Sequence, residues 1–275
     1  MVVADLHVHT TNSDGQLTLE SLGRAADAAG LTAVAVTDHD RLHPGLSAPV
    51  GTLTEGDDGG VLPLDDSRSG DADGLTVIHG IELRVEAPGE RVDLLGYGVR
   101  RTRALESLVE HLQEDRIERG RKIISRVEDR LGVELPVEPR EGLGRPHIAR
   151  AIDSVSEYSY EDAFAELIGD DGPCYVARDV PAFDDGLVVL RESCDVVSLA
   201  HPFRYDDPDA ALELCADLDA VERFYPYGFG VDPRPVDRAI ERHNLLRTGG
   251  SDAHDETLGV AGLEGEDYRR FRAAL

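Results

Sequence analysis

Apolar residues recur along this chain in short runs, each ending in an ionisable residue. Val2-Val3-Ala4 continues through Leu6 and Val8, with Asp5, His7 and His9 interleaved. That is the pattern of a buried strand whose alternate side chains share a face, so the two imidazoles project together from its end. Ala33-Val34-Ala35-Val36 runs into Thr37-Asp38-His39-Asp40, and Leu75-Thr76-Val77-Ile78 runs towards Gly80-Ile81-Glu82. The run from Val196 ends in Ala200-His201-Pro202, and Leu245 to Thr248 precedes Gly250-Ser251-Asp252-Ala253-His254. Five such strands opening into loops that carry His, Asp or Glu predict a βα barrel with its active site at the strands' carboxyl ends.

Helical periods lie between these runs. Thr18 caps a predicted helix with Leu19, Leu22, Ala25, Ala26 and Ala29 on one face, stopped by Gly30. Helices near 208–217 and 233–243, strands at 91–98 and 220–224, and a short charged helix in the tail continue the barrel. Residues 102–131 break the alternation with Leu105, Leu108, Leu112, Ile117, Ile123, Ile124, Val127 and Leu131 at helical spacing. Further helices start at Gly144-Arg145-Pro146-His147 and span Tyr160 to Ile168. The expected organisation is a barrel from residues 1–100 and 186–275, with an inserted helical subdomain at 101–185. Residues 41–74, rich in Gly and Asp and carrying Pro44, Pro49 and Pro63, predict a long, solvated, partly disordered loop with one short helical turn.

Composition narrows the function. At 275 residues and 41% hydrophobic content the chain suits one barrel-sized domain with an insertion. No apolar run is long enough to span a membrane. The N-terminus enters the first strand at once, which leaves no room for a signal peptide and predicts a cytoplasmic protein. The net charge of −27 comes from 55 acidic against 28 basic residues, and Lys122 is the sole lysine. Such a balance predicts a halophilic protein of a salty cytosol, where a Debye length of ~3 Å near 1 M salt screens self-repulsion. It offers no basic stripe for a nucleic-acid backbone, so an oligonucleotide would be held by its end. Cys174, Cys194 and Cys215 are widely spaced and read as inert thiols.

Imidazoles beside carboxylates are seats for Zn²⁺, Mn²⁺ or Fe²⁺. Asp14, in the turn Thr11-Asn12-Ser13-Asp14-Gly15, is a ligand candidate only in that company. The ordered set Asp5-x-His7-x-His9, Thr37-Asp38-His39-Asp40, Gly80-Ile81-Glu82, Ala200-His201-Pro202 and Gly250-Ser251-Asp252-x-His254 resembles the PHP (polymerase and histidinol phosphatase) superfamily of metal-dependent phosphoesterases. Arg145-Pro146-His147-Ile148-Ala149, then Tyr175-Val176-x-Arg178, looks like the subgroup acting on nucleoside 3′,5′-bisphosphates and short RNA 5′ ends.

The resemblance implies a distorted (β/α)₇ barrel in the α/β class, two or three divalent ions, and phosphate-ester hydrolysis by a metal-bound hydroxide. It implies one ion on His7, His9, Glu82 and Asp252, a second sharing Glu82 and taking His201, and a third on Asp14, His39 and His254. Eleven residues after Glu82 the family commonly has His, where this chain has Asp93. Asp93 is either an oxygen ligand favouring Mn²⁺ or a solvated strand-end residue. Glu82 would place the ions, and Asp38 would orient a ligand or shuttle protons. Arg145, Arg178 and, less directly, Arg204 are candidates for a second, non-reacting phosphate, each also readable as a surface ion pair. His147 either touches substrate or caps its helix. Other expectations are a histidinol-phosphate phosphatase or other small-molecule phosphatase, an amidohydrolase, and a metal-bearing scaffold with weakened catalysis. The oligomeric state is left open.

Overall fold

The computed structural model describes residues 1–53, 61–63 and 74–275. It divides into two compact units, Met1–Glu106 with Pro181–Leu275, and Ser107–Val180.

In the first unit β1 (Val2–Val8) is buried from Ala4 onward. The helix α1 (Leu19–Ala29) begins where the Thr18 and Ser21 side chains each bond the other's backbone N–H, and stops at Gly30 in the left-handed conformation (φ 69°). It covers β2 (Ala33–Val36), every residue of which is buried. The strand β5 (Leu75–Glu86) is the longest at 12 residues, and β6 (Arg91–Tyr97) follows it. After α5 (Phe183–Ser193) come β7 (Val196–Leu199), α6 (Pro208–Glu213), β8 (Ala220–Phe224), α7 (Arg234–His243), β9 (Leu246–Gly249), β10 (Leu263–Glu264) and α8 (Gly265–Arg272).

The sheet order is β10-β1-β2-β5-β6-β7-β8-β9. The β1-β2-β5 and β7-β8-β9 runs are parallel, whereas β6 is antiparallel to both neighbours. Only residues 87–90 join β5 to β6, too few for a crossover helix, so the chain turns back as a hairpin. The curved sheet closes along β1, where Ala253 N–H donates to His7 O and His9 N–H to Ala253 O. A Cβ on Gly250 would lie 2.3 Å from the His7 nitrogen, so glycine is required at this seam. This is the barrel that the apolar runs predict, with the distortion that the family resemblance implies.

The expectation for residues 41–74 is corrected in part. β3 (Val50–Leu53) pairs antiparallel with β5, and β4 (Val61–Pro63) pairs with β3. Pairing of Val50–Leu53 with Leu75–Ile78 satisfies a backbone edge of β5 that a solvated loop would leave open. The rest of that expectation, at 54–60 and 64–73, lies outside the described residues.

The second unit holds most of α2 (Arg103–Leu131), α3 (Arg145–Val155), and α4 (Tyr160–Ala163), which runs on as a π-helical turn over Phe164–Ile168. Ile123, Val127, Leu143, Ile148, Ile152 and Ile168 form its core. All three cysteines are free. Among the described residues no helix is long and apolar enough to cross a membrane.

Candidate metal centre

The residues at one rim of the barrel are charged and buried, which makes their partners decisive. His7 and His9 leave β1 with ring centroids 5.1 Å apart. His7 Nδ1 lies 3.1 Å from Glu222 Oε1, and Glu222 Oε2 accepts the His201 backbone N–H at 2.7 Å. Glu222 thereby fixes the His7 ring with Nε2 towards Glu82 Oε2 (3.4 Å) and Asp252 Oδ1 (3.5 Å). His9 Nε2 lies 3.3 Å from Glu82 Oε2 and 3.1 Å from Asp252 Oδ1.

The rings of His39 and His254 each lie 4.3 Å from that of His9 and 5.7 Å from one another. His39 Nδ1 is 2.7 Å from Glu82 Oε2, and His254 Nε2 is 3.4 Å from Asp14 Oδ1. His201 Nε2 is 3.1 Å from Glu82 Oε1 and 3.8 Å from Asp93 Oδ2. Positive φ at His201 (27°) and Asp252 (50°) places strained backbone at two of these positions.

Three groups of donors result, each able to hold a metal ion: His7, His9 and Glu82; Glu82, Asp93 and His201; and His9, Asp14, His39 and His254. Within each, the donor atoms lie within 4.8 Å of one another. Glu82 belongs to two groups and His9 to two, so adjacent ions would share ligands. Buried His7 Nε2, Asp14 Oδ1 and Glu82 Oε2 have no well-aligned hydrogen-bond partner, and such atoms distributed over these donor groups fit cations better than a dry core. The nitrogen and oxygen donors suit Mn²⁺, Zn²⁺ or Fe²⁺.

The electrostatics agree. Burial disfavours charge on Glu82, but His39, His7 and His201 outweigh it and hold the carboxyl well below the usual range. Burial likewise opposes ionisation of Asp252 and Asp14, and the facing imidazoles push both down. Burial opposes a proton on His7, yet Glu222, Glu82 and Asp252 raise its pKa well above the ordinary value. His9, buried among His39 and His254, moves down instead.

The second group is different. Arg84, directly opposite Asp93 in the β5–β6 ladder, donates through Nη2 to Asp93 Oδ2 at 3.0 Å. Its Nε lies 3.0 Å from Oδ1. Both oxygens of Asp93 thus meet a guanidinium, and a divalent ion fits this position less well than the other two.

Several expected residues also have partners within the protein. Asp38 is fully buried and accepts from Thr10 N–H, Thr10 Oγ1, Asn12 Nδ2 and Ser13 Oγ at 2.7–3.0 Å. Through these bonds it anchors the turn bearing Asp14. Asp5 similarly binds Ser251 N–H, Ser251 Oγ and Gly259 N–H. His147 Nδ1 accepts the Gly144 N–H and so caps α3. Arg204 reaches Tyr225 Oη at 2.7 Å, and that hydroxyl donates to Asp252 Oδ2 at 2.7 Å. Within the second unit, Arg145 bonds Ile168 O and Asp170. Burial together with Arg178, Arg145 and Arg116 lowers Arg119 to about 9, so Arg145 and Arg178 belong to a dense cationic group. Glu222, Arg84 and Tyr225 escaped the sequence reading. A glutamate inside the apolar run Ala220-Val221 was the available signal for the first.

The sequence matches the PHP domain over residues 5–169. It is 30% identical to a phosphoribosyl 1,2-cyclic phosphate 1,2-diphosphodiesterase of Eggerthella lenta, over 92% of this chain and 94% of that one. It is 26% identical to a 3′,5′-nucleoside bisphosphate phosphatase of Chromobacterium violaceum, over 92% of this chain and 88% of the relative. A Bifidobacterium adolescentis structure described as a candidate metal-dependent phosphoesterase superposes with a TM-score of 0.73 at 23% identity, covering 99% of this chain and 96% of the other.

Proposed function

The chain belongs to the PHP domain family and is a phosphoesterase of that family; from this premise we propose that it hydrolyses a phosphate ester of a nucleoside 3′,5′-bisphosphate or at the 5′ end of a short RNA. One observation carries the reading: donor groups sharing Glu82 and His9 adjoin at a single rim. His7, His9, Glu82 and Asp252 would hold one ion, and Asp14, His39 and His254 with His9 another. Bound ions would lower the pKa of a water towards ~7 and neutralise the phosphate oxygens.

The chain's own groups do the remaining work. Glu82 sets the spacing of the positions, while Glu222 keeps the His7 Nε2 lone pair aimed at the rim. Arg204, held on Tyr225, supplies positive charge on the same face of Asp252. Arg145 and Arg178 are the proposed recognition groups for a second, non-reacting phosphate, because a planar guanidinium binds phosphate in a bidentate fashion. The charge of −27 supports a salty cytosol as the working environment.

The Eggerthella relative supports a second reading, cleavage of a small cyclic phosphodiester. Turnover with Mn²⁺ in molar salt would be compared for adenosine 3′,5′-bisphosphate, a 5′-phosphorylated dinucleotide, histidinol phosphate and a cyclic ribose phosphate. Fastest phosphate release from the bisphosphate is the expected result. Preference for the cyclic ester would replace the leading reading, and no turnover of any ester would refute both.

A further inference from the structure

Among the described residues, Arg84 is the cationic side chain that approaches both carboxylate oxygens of a residue in a donor group. Its origin lies in the strand pattern. Side chains two apart on a strand share a face, so Arg84 projects on the same side of β5 as Glu82. The hairpin register then sets Arg84 across from Asp93, as it sets Glu86 across from Arg91. Directly opposed residues of opposite charge interact most strongly in such a pair.

Four observations define its surroundings. The guanidinium contacts Asp93 at 3.0 Å on each oxygen. Its backbone N–H donates to Asp40 Oδ1 at 3.1 Å, which fixes the strand beneath it. The Asp93 N–H in turn donates to Tyr205 Oη at 2.9 Å, so the acceptor is held as firmly as the donor. The Arg84 side chain retains 34% exposure, against 7% for Asp93, so its outer edge is open to solvent while its contact edge is not.

We propose that Arg84 takes over the charge role of the second divalent ion, so that this enzyme loads two ions and completes the set with a permanent guanidinium. The inference rests on the reading that the rim holds metal, and concerns how many ions it holds. An arginine does not lose its proton in a protein, so the cation at this position is built in. With Asp93 neutralised, the group of Glu82, Asp93 and His201 offers an incoming divalent ion less negative charge than its composition suggests. The guanidinium adds direct repulsion. Its open edge presents N–H groups suited to a phosphate oxygen.

The test counts metal and needs no turnover. The protein, prepared ion-free in molar salt, is titrated with Mn²⁺ and the bound ions are read by elemental analysis and by paramagnetic resonance of free Mn²⁺. Wild type should saturate at two ions per chain, with any third binding on the order of 10- to 100-fold more weakly. Arg84→Ser should gain a third ion in the affinity range of the first two, and Arg84→Lys should lie between. Three ions of matched affinity in wild type would overturn the proposal, whatever the variants do. So would a folded Arg84→Ser that still stops at two. If Arg84→Ser does not fold, the wild-type count alone decides. Absence of all ions from wild type would refute the metal reading itself, a separate outcome from an altered count.

Discussion

The two units each concentrate charge, but with opposite sign. At the barrel rim, carboxylates of Asp14, Glu82 and Asp252 face the imidazoles, and their pKa values are driven down by those rings. In the inserted unit, burial and then the nearby Arg178, Arg145 and Arg116 lower Arg119 to about 9. The first is an incomplete electrostatic set that cations complete; the second is a like-charged set that an anion relieves. Their internal support differs too. Candidate rim ligands are tied down by buried carboxylates, as His7 is by Glu222 and Asp5, whereas the insert's arginines lean largely on backbone carbonyls, Arg119 on Val176 O and Arg145 on Ile168 O with Asp170 beside it. A ring aimed at a metal must be fixed in tautomer and angle. A guanidinium needs only to be held in place, because its donor fork is already rigid.

Each prediction presses on this contrast. His9→Ala removes a donor from two groups at once and should lower kcat/KM by on the order of 10³-fold or more, about 4 kcal/mol in transition-state terms. It should also strip bound metal, as read by elemental analysis. Glu222→Gln keeps every ligand but loosens His7 and His201, and metal affinity should weaken by about 10- to 100-fold in a Mn²⁺ titration.

Arg178→Ala, from the opposite cluster, should leave metal content intact. It should raise KM for adenosine 3′,5′-bisphosphate by about tenfold, the size of a lost charge-assisted contact, with kcat little changed. A fall in kcat with unchanged KM would reassign Arg178 to the chemistry.

Acidity acts on the rim in two ways. Raised His7 contributes stability to the ion-free protein below about pH 6.5, and that stability is lost as pH rises through its folded value. Depressed Asp14, Glu82 and Asp252 contribute above the usual carboxylate range near pH 4, and this is lost as pH falls through their folded values. An ion must displace the His7 proton, so Mn²⁺ affinity should fall by up to about tenfold per pH unit on acidification. Calorimetry in buffers of different ionisation enthalpy would count the released proton.

The smallest effect per step concerns the whole surface. Raising salt from 0.1 M should raise Tm, by about 2–4 °C for each kcal/mol of relieved repulsion. A Tm that falls with salt would remove the halophilic reading.

Much of the barrel was legible because burial on both faces leaves an unbroken apolar run, and ligands at strand ends interrupt it at fixed places. Val2 to His9 and Ala33 to Asp40 announce themselves this way. The strand Val50–Leu53 did not, since proline and glycine neighbours masked four residues whose pairing comes from β5 and β4. The Arg84–Asp93 pair was readable only to someone who knew that 87–90 is a hairpin, because one residue's change in register would have separated them.

Local order along the chain determined that imidazoles and carboxylates would stand at strand ends, since alternation of side chains is a property of any extended backbone. Only closure of the sheet decided which of them meet. His7 lies 215 residues from Glu222 and 75 from Glu82, distances that no periodicity spans. The direction of β6 belongs to the tertiary structure as well: by running backwards it brings Asp93 to Arg84 as well as to His201, so that a candidate ligand is also half of an ion pair.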